Sequence, residues 1–189
     1  MTRYARINDD GRVAELLDED PAGRFHPDVV FVEIPDALGG LVTLDYIVAD
    51  DTIQPPSLDY LRRQLEQRLA DIRFRVETGG LTLGGQSINT DRESQSQLSN
   101  AYQALAQPLV SRVDWKGPDG WVTVTAEQLK PIAGAVAVHV QGCFTAERQT
   151  AEALFAERDL EALIEALPTL DLAAEFDSRL ETAKAAAVA

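Results

Sequence analysis

The sequence predicts an α+β protein. A small N-terminal β-rich module is followed by a helical domain carrying two short β-hairpins, in the order helix, hairpin, helix, hairpin, long helix. Three observations predict it. Up to Gln54 the chain reads as short β-branched or alternating runs separated by turn signals. Pro55-Pro56 then interrupts both sheet and helix. From Leu58 the apolar residues recur at helical spacing, broken twice by glycine-bracketed segments.

The first module spans residues 1–54. RYARINDDGRVAELLD alternates apolar and polar side chains on both sides of Asp9-Asp10-Gly11, where glycine supplies the positive φ of a hairpin turn. Strands are expected near 3–7 and 12–17. DVVFVEIP, Asp28–Pro35, is a third. Leu41–Ile53 holds one or two more. About fifty residues is near the lower limit for an independent core, so the module is expected to lean on something else. Residues 55–57 form a stiff linker, and Ser57 can cap the helix that follows.

The second domain spans 58–167. Leu58, Leu61, Leu65, Leu69, Ile72 and Val76 are spaced 3, 4, 4, 3 and 4 apart, which predicts a helix over 58–76 with one apolar stripe. The stripe suits an intramolecular packing face or a coiled-coil seam with another chain, so a homo-oligomer stays open. The Ile132–Phe144 face offers cover within the same chain. In ETGGLTLGGQSINTDRES, Gly79-Gly80 ends the helix, 81–83 and 86–88 pair across Gly84-Gly85, and Thr90 with Glu93 forms a capping box opening a helix over about 91–106. That helix points Leu98, Ala101, Tyr102 and Leu105 inward. A second hairpin, Arg112–Thr125, turns at Gly117-Pro118-Asp119-Gly120 and leads through a capping box at Thr125 into the long helix. Leu129, Ile132, Val136, Val140, Cys143 and Phe144 share its inner face, and Pro131 predicts a kink or restart near 130. A short helix runs from Leu160 to Leu167 and stops at Pro168. The tail, 168–189, is helical in propensity but has little to bury and is expected to fray in part.

The net charge of −14 argues against nucleic-acid and anionic-membrane partners, because phosphate recognition needs a basic face. Only 57–78 is balanced, with five Arg against four acids. One cysteine rules out an intrachain disulfide framework. The longest apolar run, Ile132–Val140, is far short of the roughly 20 residues that span a bilayer. The N-terminus lacks the layout of a signal peptide. These features suit a soluble protein made inside a cell.

Candidate chemistry is sparse. The paired glycines lack the spacing of a phosphate or dinucleotide loop, no lysine precedes Lys116, and the cap acids would repel an anion. His26 precedes a proline in a turn. His139 and Cys143 are four apart, as half a metal site would be, yet apolar neighbours favour a core position. GQSIN is not a nucleophile elbow. No catalytic, cofactor or metal residue is assigned, and the protein reads as non-enzymatic. Trp115 and Trp121 flank the second turn, either as packing or, if exposed, as a binding hot spot. The candidate partner-binding residues are therefore Trp115, Trp121, Leu58, Leu61, Leu65 and Leu69.

RYARINDDGRVAELLD…RFHPDVVFVEIPD followed by LDYIVADDTIQPP resembles the N-terminal part of bacteriophage tail-fibre assembly and tail-fibre-associated proteins. FRVETGGLTLGGQSINTDRESQSQLSNAYQAL…VDWKGPDGWVTVTAEQLKPIAGAVAVHVQGCF is similar to a phage and prophage domain of unknown function found in or beside tail-fibre genes. Together the resemblances cover about residues 3–155. They imply a tail-fibre assembly chaperone in the host cytoplasm, binding a tail-fibre or tail protein during virion morphogenesis. The alternative they imply is a structural tail, tail-fibre or baseplate component retained in the virion.

Overall fold

A computed structural model describes residues 3–35, 42–43, 46–49, 52–117, 120–156 and 159–188. The fold is α+β, with N-terminal strands, then helices and short hairpins, and a long C-terminal helix. The chain divides into two compact units, Met1–Leu65 with Glu157–Leu170, and Glu66–Ala156 with Asp171–Ala189. The division falls inside the first helix, whereas the sequence reading placed the boundary at 55–57. A helix continues its own hydrogen-bond ladder past a pair of prolines lying outside it, so the prolines mark where the helix begins.

In the first unit, β1 (Arg3–Ile7) lies between β2 (Val13–Leu17) and β3 (Val30–Ile34), antiparallel to both. The Asn8 side chain accepts from the amides of Asp10 (3.1 Å) and Arg12 (2.8 Å), and Gly11 turns at φ 72°. β4 (Ile47–Ala49) pairs with β5 (Thr52–Gln54). Of the expected Leu41–Ile53 strands, residues 41, 44, 45, 50 and 51 lie outside the described residues. Ala5, Val13, Ile34, Val42, Tyr46 and Ile53 make a core of the module's own. α1 (Leu58–Thr78) starts here, with the Tyr60 amide 3.3 Å from the Ser57 hydroxyl. α4 (Leu160–Ala166), capped by Asp159 on the Ala162 amide, runs into a 3-10 turn at Leu167–Thr169.

In the second unit the rest of α1 is followed by the hairpin β6 (Leu81–Leu83) and β7 (Gln86–Ile88). Gly84 and Gly85 sit at φ 58° and 85°, the conformation a two-residue hairpin turn needs. After α2 (Arg92–Leu105), β8 (Val113–Gly117) and β9 (Gly120–Val124) form the second hairpin. Residues 118 and 119 of its turn lie outside the described residues. α3 (Ala126–Phe155) opens with the expected capping box, the Thr125 amide donating to Gln128 Oε1 at 3.0 Å. α3 runs through Pro131 without the expected restart. One missing donor near a helix start costs a single ladder bond, and the long run beyond it preserves the helix.

α3 serves two cores. Leu129 and Val136 pack with Leu98 and Leu105 of α2, and residues of both hairpins join them. Cys143 and Ala146 pack with Ile72 of α1 and with Phe176 and Leu180 of α5 (Leu172–Val188). The tail is thus helical as expected, and it has more to bury than its sequence suggests. Phe176 and Leu180, four apart, give it a buried face, and Asp171 caps it on the Ala173 and Ala174 amides. Gly142 lets α5 come close, since a Cβ there would stand 3.2 Å from the Leu180 side chain. Tyr102 and Phe144, expected inside, are exposed. The Arg73 guanidinium lies 4.6 Å from the Phe144 ring centre, so that ring covers a cation instead.

Candidate partner-binding groove

The stripe on α1 does not present a partner surface. Leu61, Leu65 and Leu69, expected at a partner surface, are buried within this chain and are corrected to core positions, while Leu58 is half-buried. Six apolar side chains on one helix face cost too much to leave in water, and the chain's own packing covers most of them.

The two tryptophans part company. In β8–β9 Trp115 stands opposite Val122, and Lys116 opposite Trp121. Successive strand residues face opposite sides, so one tryptophan goes in and the other out. Trp115 joins the α2–α3 core with Val113 and Val124. Trp121 is 72% exposed, with the Lys116 ammonium 5.8 Å from its ring centre. They are therefore not a stacked pair.

The inner face of β8–β9 forms one wall of a groove of about 580 Å³. Trp115, Val122 and Val124 supply that wall, and Leu98, Leu129 and Ile132 the floor. β7 and its flanks form the other wall through Gln86, Ser87 and Asn89, while Ser94 and Gln97 of α2 close one side. Among the described residues no carboxylate lines it and Lys116 is the one cation in the lining, although the chain carries 31 acids. An apolar floor with amides and hydroxyls around it suits an uncharged ligand with one apolar side.

Below the groove's hairpin lies a buried polar node that sequence reading missed. Glu77 is fully buried at the end of α1. Arg73 donates to it at 2.6 Å, Arg92 at 3.1 Å and Gln95 at 3.2 Å. Arg73 also donates to Glu147 of α3 at 2.8 Å. Two acids and two guanidiniums balance, which is how a carboxylate can be held out of water. The Arg73–Glu77 spacing of four was visible, but at helix-surface residues that pattern is commonplace.

Thr90 is also redefined by this node. The α2 cap is Asp91, whose carboxylate accepts from the Ser94 amide at 2.9 Å and hydroxyl at 2.6 Å. Those bonds hold its carboxyl below the usual range. The buried Thr90 hydroxyl instead donates to the Glu77 carbonyl (2.6 Å) and accepts from the Gly80 amide (2.8 Å). A carboxylate one residue later is the stronger acceptor for the α2 amides, which frees Thr90 to close the end of α1.

His139 Nε2 lies 3.1 Å from the Val76 carbonyl and 3.3 Å from that of Glu77, so it donates to the α1 terminus. Cys143 is fully buried, and burial pushes its thiol up to about 11. The pair is structural, and among the described residues no group of three His, Cys, Asp or Glu side chains is placed to hold a metal ion. His26 stands exposed in its turn.

Residues 60–177 match the family described as Domain of unknown function (DUF4376). The chain belongs to that family. Comparison with curated proteins and with solved structures returned no match. The DUF4376 region runs from the first turn of α1 into α5 and contains every residue of the groove and of the Glu77 node. Among the described residues no helix is long and apolar enough to cross a membrane.

Proposed function

We propose that this DUF4376 protein is a non-enzymatic tail-fibre assembly chaperone. It binds part of a phage tail-fibre protein in the host cytoplasm, covers an aggregation-prone surface and leaves before the virion is complete. The observation that carries this reading is the groove beside Trp115, whose apolar floor and lining of amides, hydroxyls and a single lysine suit a protein segment better than a charged metabolite. The resemblance of the N-terminal part to tail-fibre assembly proteins, and of the second part to a phage domain found in or beside tail-fibre genes, supplies the partner. The acidic composition supports solubility of the complex and makes nucleic acid a poor ligand.

Two measurements test the proposal together. Co-expression with the tail-fibre protein of the same phage genome is expected to raise the yield of soluble fibre. Mass spectrometry of purified virions is expected to find the fibre but not this chain. An unchanged yield removes the chaperone role. Stoichiometric presence in the virion replaces it with that of a retained tail component.

A further inference from the structure

We infer that the groove captures its partner as an added β-strand, with the open edge of β7 as the template. This rests on the partner-binding reading above and names how the partner is held. β6–β7 is a two-stranded sheet, so among the described residues the outer edge of β7 pairs with no other strand. Five consecutive residues, Gly85 to Asn89, line the groove. Side chains alternate between faces, so consecutive residues line one cavity by presenting the strand's edge.

The register shows which main-chain groups are on offer. Leu83 and Gln86 close a two-residue turn and therefore exchange hydrogen bonds, as do Leu81 and Ile88 two residues on. The pair between them, Thr82 and Ser87, points its N–H and C=O groups outward. Among the described residues no turn, loop or cap hydrogen bond engages those of Ser87. A donor and acceptor held at an open edge bind an extended backbone, and a groove beside them selects its alternate side chains.

The groove also sets the chemistry of the segment. Its inward side chains meet Trp115, Val122 and Leu98, and are apolar. Among the described residues a cationic strand finds no carboxylate in the lining. The occupant is an uncharged segment of a partner protein that alternates apolar and small polar residues.

A labelled peptide of about six residues alternating valine and threonine is a suitable probe. Fluorescence anisotropy against the full chain is expected to show saturable binding. The same peptide with its amides N-methylated, and the variant Ser87→Pro, should each weaken binding by about tenfold or more. Thr82→Pro alters the opposite edge of the same hairpin and should bind as the wild type does. If melting shows that Ser87→Pro does not fold, Val122→Asp, at a half-exposed groove position, takes its place with the same expected loss.

Absence of binding by the wild type overturns the inference. So does equal binding of the N-methylated peptide, or equal loss in Thr82→Pro. A wild-type dimer that Ser87→Pro converts to a monomer overturns it in favour of a second copy on the edge. Fibre protein that still co-purifies with Ser87→Pro overturns strand addition and leaves the chaperone reading standing. Peptide binding without any co-purified fibre does the reverse.

Discussion

Thr90 closes one helix with a single hydroxyl, taking the Gly80 amide and giving to the Glu77 carbonyl. Thr90→Val keeps the shape and removes both bonds, leaving the Gly80 amide without an acceptor at about 1–3 kcal/mol and the Glu77 carbonyl with only the longer bond from His139. Chemical denaturation should show a loss of about 2–3 kcal/mol. Thr125→Ala removes an ordinary helix cap and should cost about 1 kcal/mol. Equal losses would mean that Thr90 is no more than a cap. Cys143 gives a pH signature. Its thiol ionises near 11 when folded, against 9.0 for the free group. The unfolded chain therefore releases that proton first, and stability falls as pH rises across this window. Cys143→Ala should flatten the fall in pH-dependent melts, and an identical slope in both proteins would show that the thiol is not held neutral.

The two-residue hairpin turn, the α1 stripe and the start of α3 were legible in the sequence, because glycine pairs, helical periodicity and capping residues act locally. α5 was not. Its sequence shows only Phe176 and Leu180 as large apolar residues in the middle of the helix, among alanines and charges. Their value comes from Cys143 and Ala146, small residues on α3 that make room. The Glu77 node was hidden for a related reason: a glutamate is expected outside unless its partners are known, and they come from α1 and α2, with Arg73 reaching on to Glu147 of α3. The groove was half legible. Trp115 was singled out, but the strand register that separates it from Trp121 is set by pairing across the hairpin. At this scale Phe176→Ala should cost about 3–5 kcal/mol and abolish amide-exchange protection along α5. A small loss with protection intact would return the tail to the frayed state its composition suggests.

At the scale of the whole chain, an apolar stripe buried within one copy predicts a monomer through that face. Leu65 is 2% exposed, so Leu65→Asp places a charge where nothing can solvate it. Circular dichroism and light scattering should show an unfolded or aggregated variant beside a folded wild type. A folded, cooperative monomer arising from a wild-type oligomer would move the stripe to an interface. The groove is among the surfaces that stay available to a partner, as is the exposed Trp121, and the central claim is that fibre protein is held in the groove. The most direct measurement is the amount of tail-fibre protein that co-purifies with three forms of this chain: wild type, Val122→Asp in the groove wall, and Tyr102→Ser at an exposed position outside its lining. Wild type and Tyr102→Ser are expected to retain the fibre protein equally and Val122→Asp to lose it while melting as a folded protein. Equal retention by all three forms, or none by the wild type, would contradict the account.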